Sequence, residues 1–126
     1  MKQFNIVLQN QPGELAKLCD VLKPVNILQI TTESLNDDTT KVKLVTADEN
    51  SARTALTSKY EFSEVDILRV KISDRPGELG KLARILGDVG VNIEDIYSLD
   101  RGTIALIVEA AHKEKARETL KSIVLG

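Results

Sequence analysis

The segment Pro12-Gly13-Glu14-Leu15, followed by Lys17-Leu18, returns as Pro76-Gly77-Glu78-Leu79, followed by Lys81-Leu82, displaced by 64 residues. In a chain of 126 residues a repeat of that period divides the molecule into two copies of one small unit, so the fold must be one that can be built twice. The match extends in both directions with the hydrophobic phase intact. Upstream, Phe4, Ile6 and Leu8 alternate with Asn5, Val7 and Gln9, and Leu68, Val70 and Ile72 alternate with Arg69 and Lys71. Period two over this length predicts a strand in each copy. Downstream, Leu15, Leu18, Cys19 and Leu22 are spaced i, i+3, i+4, i+7, and Leu79, Leu82, Ala83 and Leu86 repeat the spacing, which predicts an amphipathic helix.

The first helix is expected to stop at Lys23-Pro24, where proline forbids continuation, and its counterpart at Gly87 to Gly90, where glycine favours a C-cap. Val25-Asn26-Ile27 and Val91-Asn92-Ile93 open the next strands. These run to about Leu35 and Leu99, polar turns follow at Asn36-Asp37-Asp38 and Asp100-Arg101-Gly102, and third strands carry Val42 and Leu44, or Ile104, Leu106 and Val108. A second helix follows, with Ala52-Arg53 and Leu56 matching Ala116-Arg117 and Leu120. In the first copy Tyr60 to Val65 supplies a fourth strand and completes a βαββαβ order, whereas in the second only Ile123-Val124-Leu125-Gly126 remains. The expected fold is α+β: two tandem ferredoxin-like modules, residues 1–65 and 66–126, with antiparallel sheets packed side by side and a short or missing fourth strand in the second copy. An edge left without its strand carries unpaired backbone groups that the other repeat or a second chain would have to cover.

Composition narrows the function. Seventeen basic and nineteen acidic residues are interspersed, for a net charge of -2, with no block of one sign to neutralise a phosphate backbone or an anionic membrane. Neither nucleic acid nor membrane is expected as a partner, and a cytoplasmic location is expected from the lack of an apolar signal core at Met1-Lys2-Gln3-Phe4-Asn5. Cys19 is the sole cysteine and His112 the sole histidine, so a zinc cluster, an intramolecular disulfide and a Ser/His or Cys/His triad lack their parts within one chain. Cys19, on the apolar helix stripe, is expected in the core; His112 is expected to be solvated or to cap the last helix.

A strand, then Asn10-Gln11-Pro12-Gly13-Glu14-Leu15 or Asp74-Arg75-Pro76-Gly77-Glu78-Leu79, then a helix, then Val-Asn-Ile, resembles the ACT domain over nearly the whole chain, twice. The second copy is the nearer match; the first departs at Asn10 and at Lys23-Pro24, where two residues are missing and the loop before Asn26 must be tighter. The resemblance implies a regulatory module that binds a free amino acid at the interface of two paired modules. It implies a site made of the first strand-to-helix loop and the asparagine at the start of the second strand of the adjacent module. Carried over by position, the residues are Asn10, Gln11, Pro12 and Gly13 with Asn26 and Ile27, and Asp74, Arg75, Pro76 and Gly77 with Asn92 and Ile93.

The chemistry of the loop agrees with that role. Backbone N–H groups at a helix start attract an anion such as an α-carboxylate, and glycine lets a ligand approach the backbone. The Asp74 carboxylate and the amides of Asn10, Asn26 and Asn92 offer acceptors for an ammonium group. The same residues also make an ordinary helix start, with Asn10 or Asp74 as cap, and Asn26 and Asn92 also serve to satisfy turn backbone. Catalysis of the acylphosphatase kind would need an arginine inside the helix start, and Arg75 precedes Pro76 instead. RNA-recognition modules share the βαββαβ order but stack bases on aromatic side chains, and this chain has only Phe4, Tyr60, Phe62 and Tyr97. The expectation is a stand-alone, non-enzymatic sensor without cofactor or metal. It is a homodimer that binds a free amino acid and regulates a separate amino-acid-metabolic enzyme. The alternative is a ligand-free assembly module that pairs with such an enzyme.

Overall fold

Phe4, Ile6 and Leu8 point to one side of the first strand, β1 (Lys2–Gln9), and are buried there. In the computed structural model, which describes residues 1–126, β1 is followed by α1 (Glu14–Val21), β2 (Ile27–Ser34), β3 (Thr39–Thr46), α2 (Glu49–Thr57) and β4 (Phe62–Asp66). The same order resumes with β5 (Leu68–Lys71), α3 (Glu78–Asp88), β6 (Ile93–Asp100), β7 (Thr103–Val108) and α4 (Lys113–Thr119). The chain divides into two units, Met1–Asp66 and Ile67–Gly126. No helix is long and apolar enough to cross a membrane.

The first unit is a four-stranded antiparallel sheet in the order β2-β3-β1-β4, the ferredoxin-like arrangement. Its core joins Phe4, Ile6 and Leu8 to Val42 and Leu44 of β3, Leu18 and Leu22 at α1, and Ala52 and Leu56 of α2. Phe4 and Phe62 meet edge to face with ring centroids 5.7 Å apart. α2 is tied to β4 by a two-pronged ion pair, Arg53 Nε to Glu64 Oε2 at 2.9 Å and Arg53 Nη2 to Glu64 Oε1 at 2.6 Å.

The second unit is a three-stranded antiparallel sheet, β5-β7-β6, whose core of Leu68, Val70, Leu82, Leu86, Leu106 and Leu120 reproduces the first position for position. As expected from the sequence, a full fourth strand is lacking. The last residues stand in its place: Lys71 N donates to Ile123 O at 2.8 Å, Leu125 N to Arg69 O at 2.7 Å and Arg69 N to Gly126 O at 3.0 Å, around one antiparallel bridge between Val70 and Val124. The Arg69 guanidinium adds a bond to Leu125 O at 3.2 Å. The free edge of β5 is thus covered by the chain's own end.

Two readings fail. Cys19 is exposed, and so are Leu15 (43%) and Leu79 (51%). At about 100° per residue, Leu22, Leu15 and Cys19 lie about 40°, 60° and 100° round from Leu18, and the sheet meets only the Leu18–Leu22 edge of that stripe. α3 behaves alike, burying Leu82 and Leu86 and leaving Leu79 and Ala83 exposed. Second, neither Asn10 nor Asp74 caps a helix; the caps are Gly13 and Gly77, which make no side-chain bond. His112, expected to be solvated or to cap the last helix, is the half-buried N-cap residue of α4; it makes no side-chain capping bond and sets Nδ1 at 3.5 Å from Glu109 Oε2.

Candidate functional site

Each strand-to-helix loop has one geometry, repeated. Gly13 and Gly77 both adopt φ 88, a left-handed conformation that glycine takes without strain, and nothing lies within 4 Å of the place where a Cβ would stand. The turns close alike, with Glu14 N donating to Gln11 O at 3.3 Å and Glu78 N to Arg75 O at 3.2 Å. Glycine is therefore required here for backbone conformation, and the space above it is open. Beyond Glu14 and Glu78, whose N–H groups close the turns, the N–H groups of the first helical turn have no partner within the helix. Acidic Glu14 and Glu78 sit in the same first turns, each paired with the lysine three residues on.

Asn10, Gln11, Pro12, Gly13, Asp74, Arg75, Pro76 and Gly77 are all exposed. In the first unit Asn10 and Gln11 share a recess of about 180 Å³ with Glu14, Leu15, Thr32 and Thr40. In the second unit Asp74 and Arg75 share one of about 270 Å³ with Leu79, Ser98, Asp100 and Arg101. Pro12, Gly13, Asn26 and Ile27 do not line the first recess, and Pro76, Gly77, Asn92 and Ile93 do not line the second. Neither recess therefore contains both the loop and the asparagine of its unit.

Asn26 and Asn92 are exposed immediately before their strands, and the Asn26 carbonyl accepts from Ala47 N at 2.9 Å. Both copies put a register irregularity just beyond, between Ile27 and Gln29 and between Ile93 and Asp95. Such bulges re-aim neighbouring side chains and recur next to binding sites.

Sequence reasoning missed the hairpin tip. Asp100, Arg101 and Gly102 are legible as a turn, yet the tip also walls the larger recess, together with Thr103 at the start of β7. A further groove of about 340 Å³ runs along β5 and α3, lined by Val70, Ile72, Leu82, Ile85 and Ile123 beside Lys71 and Lys81. Tyr97 on β6 is more than half buried, and loss of hydration holds its hydroxyl far above the usual phenol range.

The ACT domain family model matches residues 67–124. No curated protein matches the chain. Among solved structures it is similar to protein BT0572 from Bacteroides thetaiotaomicron, with a TM-score of 0.85 and 25% identity over 98% of this chain and 90% of that one. It is similar in fold to the regulatory subunit of aspartate kinase from Thermus thermophilus, with a TM-score of 0.65 and 20% identity over 96% of this chain and 91% of that one. The regulatory subunit of aspartate kinase from Thermus flavus gives a TM-score of 0.64, also at 20% identity, over 96% and 90%. The Asp74–Gly77 loop, the αL glycine, α3 and the β6–β7 hairpin all lie inside the matched segment, and the chain thus carries an ACT domain over residues 67–124.

Proposed function

We propose that this chain is a regulatory protein without catalytic activity, built of two ACT modules, residues 1–65 and 66–126, that binds a free amino acid where modules pair. The observation that supports it most directly is the open, glycine-turned loop at Asp74–Gly77, inside the matched ACT domain and duplicated at Asn10–Gly13. Helix-start N–H groups suit the ligand's carboxylate, and Asp74, Asn10, Asn26 and Asn92 offer acceptors to its ammonium. Ile27 and Ile93 supply apolar contact beside the asparagines. Because no residue of the loop recess comes from the asparagine's end of the same unit, the site is completed by a neighbouring module, in a homodimer with its sheets side by side.

Binding at such an interface stabilises the paired arrangement and gives the ligand a differential affinity for one assembly state, which is what regulation requires. The aspartate kinase regulatory subunits of like fold suggest a separate amino-acid-metabolic enzyme, in the cytoplasm, as the regulated partner. A second reading, a ligand-free module that only pairs with such an enzyme, draws on the exposed Leu15, Leu79 and Ile85, which offer apolar contact on α1 and α3. A thermal-shift screen of the purified chain against the twenty amino acids, with its mass in solution, separates the two. A midpoint rise confined to one or a few chemically related amino acids is expected. No shift with any of them, in a folded dimer, refutes the sensor and leaves the assembly module.

A further inference from the structure

The two units differ where the hairpin tip meets the loop after the first strand. In the first unit β2 ends at Ser34 and β3 begins at Thr39, so the tip is Leu35–Asp38. Asn36 closes it, Oδ1 accepting from Asp38 N at 2.8 Å and Thr39 N at 2.9 Å. This tip reaches the loop: Asn10 N donates to Asp38 O at 2.8 Å and Asn10 Nδ2 to Asp37 O at 3.3 Å. In the second unit β6 ends at Asp100 and β7 begins at Thr103, so the tip is only Arg101 and Gly102. Its bond to the first strand falls at Ile72 N, which donates to Gly102 O at 2.9 Å, two repeat positions before Asp74. Asp74, which stands where Asn10 stands in the first unit, is left facing an open recess with Arg75 and Arg101.

The chemistry of the two recesses differs accordingly. The first holds Glu14, already paired with Lys17 at 3.2 Å, and no cation lines it. The second sets two guanidinium groups, Arg75 and Arg101, against two carboxylates, Asp74 and Asp100, and none of these four side chains has an ion-pair or hydrogen-bond partner within the unit. Guanidinium binds carboxylate in two-pronged fashion, and carboxylate accepts from ammonium. A zwitterion therefore finds both complements, and since the four charges already cancel, a ligand bearing a third charge leaves it uncompensated.

We infer that the second unit alone takes the ligand, that this ligand is an α-amino acid with an uncharged side chain, and that Arg101 on the hairpin tip joins the helix-start N–H groups in binding its carboxylate. The inference rests on the amino-acid-binding reading above. It is tested by calorimetric titration of the full chain with each of the twenty amino acids, then repeated with R101Q and R101K. One neutral-side-chain ligand per chain is expected. R101Q should weaken it at least tenfold and R101K by less, since lysine keeps the charge without the fork. Unchanged far-UV dichroism and an unchanged melting midpoint without ligand separate lost binding from lost fold. Two ligands per chain, binding only of acidic or basic amino acids, or full affinity in a folded R101Q overturns the inference while leaving the sensor reading intact. Absence of binding by all twenty removes both.

Discussion

Three glycines at one helix give a prediction in which the sign of the effect, and not only its size, is at stake. Gly77 caps α3 at φ 88, and no atom lies within 4 Å of a Cβ built there, so alanine meets nothing and its whole penalty is conformational. A left-handed residue other than glycine costs about 1–2 kcal/mol. Gly80 and Gly87 lie inside α3, likewise with open space where a Cβ would stand, but with ordinary helical backbone. Alanine there removes backbone freedom from the unfolded chain and gains about 0.5–1 kcal/mol at each site. Gly77→Ala should therefore lower the unfolding midpoint, by roughly 4–8 °C per kcal/mol for a unit of this size, and Gly80→Ala/Gly87→Ala should raise it. Gly77→Asn should fall between, because asparagine visits the left-handed region more easily. Thermal unfolding followed by far-UV dichroism reads all three. A neutral Gly77→Ala, or a double variant as destabilised as Gly77→Ala, would refute the assignment of Gly77 to a conformational role.

Two further outcomes test the packing and the charge pairing. Leu86, fully buried, should cost about 2–5 kcal/mol as alanine, while Leu79, half exposed at the same helix, should cost less than about 0.5 kcal/mol, both by chemical denaturation; equal losses would mean that the stripe packs differently from the core described. The Arg53 guanidinium beside Glu64 holds that carboxyl below its ordinary value. A depressed folded-state pKa contributes stability that is fully present above the unfolded value of about 4.5 and disappears as pH falls through the folded value. Arg53→Gln should therefore flatten the acid limb of a plot of urea midpoint against pH, and an acid limb of unchanged steepness would count against any contribution from the pair.

Much of this was legible from residue order alone. Period-two runs at Phe4–Leu8 and Leu68–Ile72 and the seeds at Pro12 and Pro76 locate strands and helices, because a 64-residue repeat forces each local signal to be read twice. The exposure of Cys19 was not legible. A heptad-like stripe states that one side of a helix is apolar, but which edge of the stripe meets the sheet depends on how the helix lies across it. Asn10 and Asp74 are good capping residues in isolation, which kept a capping alternative open, whereas the backbone hands that position to the left-handed glycine three residues later. Arg101 escaped notice because the chemistry of a recess depends on which turn folds over it. The available signal was the difference in tip length between Leu35–Asp38 and Arg101–Gly102.

That difference has a consequence for how duplicated modules diverge. Doubling the length of a flexible loop changes its closure entropy by only about 0.6 kcal/mol. No residue of either tip belongs to the cores built on Phe4, Leu18 and Leu44 or on Leu68, Leu82 and Leu106. An insertion or deletion of two residues at one exposed tip is therefore nearly invisible to folding and fully visible to whatever approaches the adjoining loop. Two copies born identical can be pulled apart in chemistry while drift in their cores remains bounded by the same packing, so that the inventory of ligands and the inventory of folds evolve on separate parts of the chain.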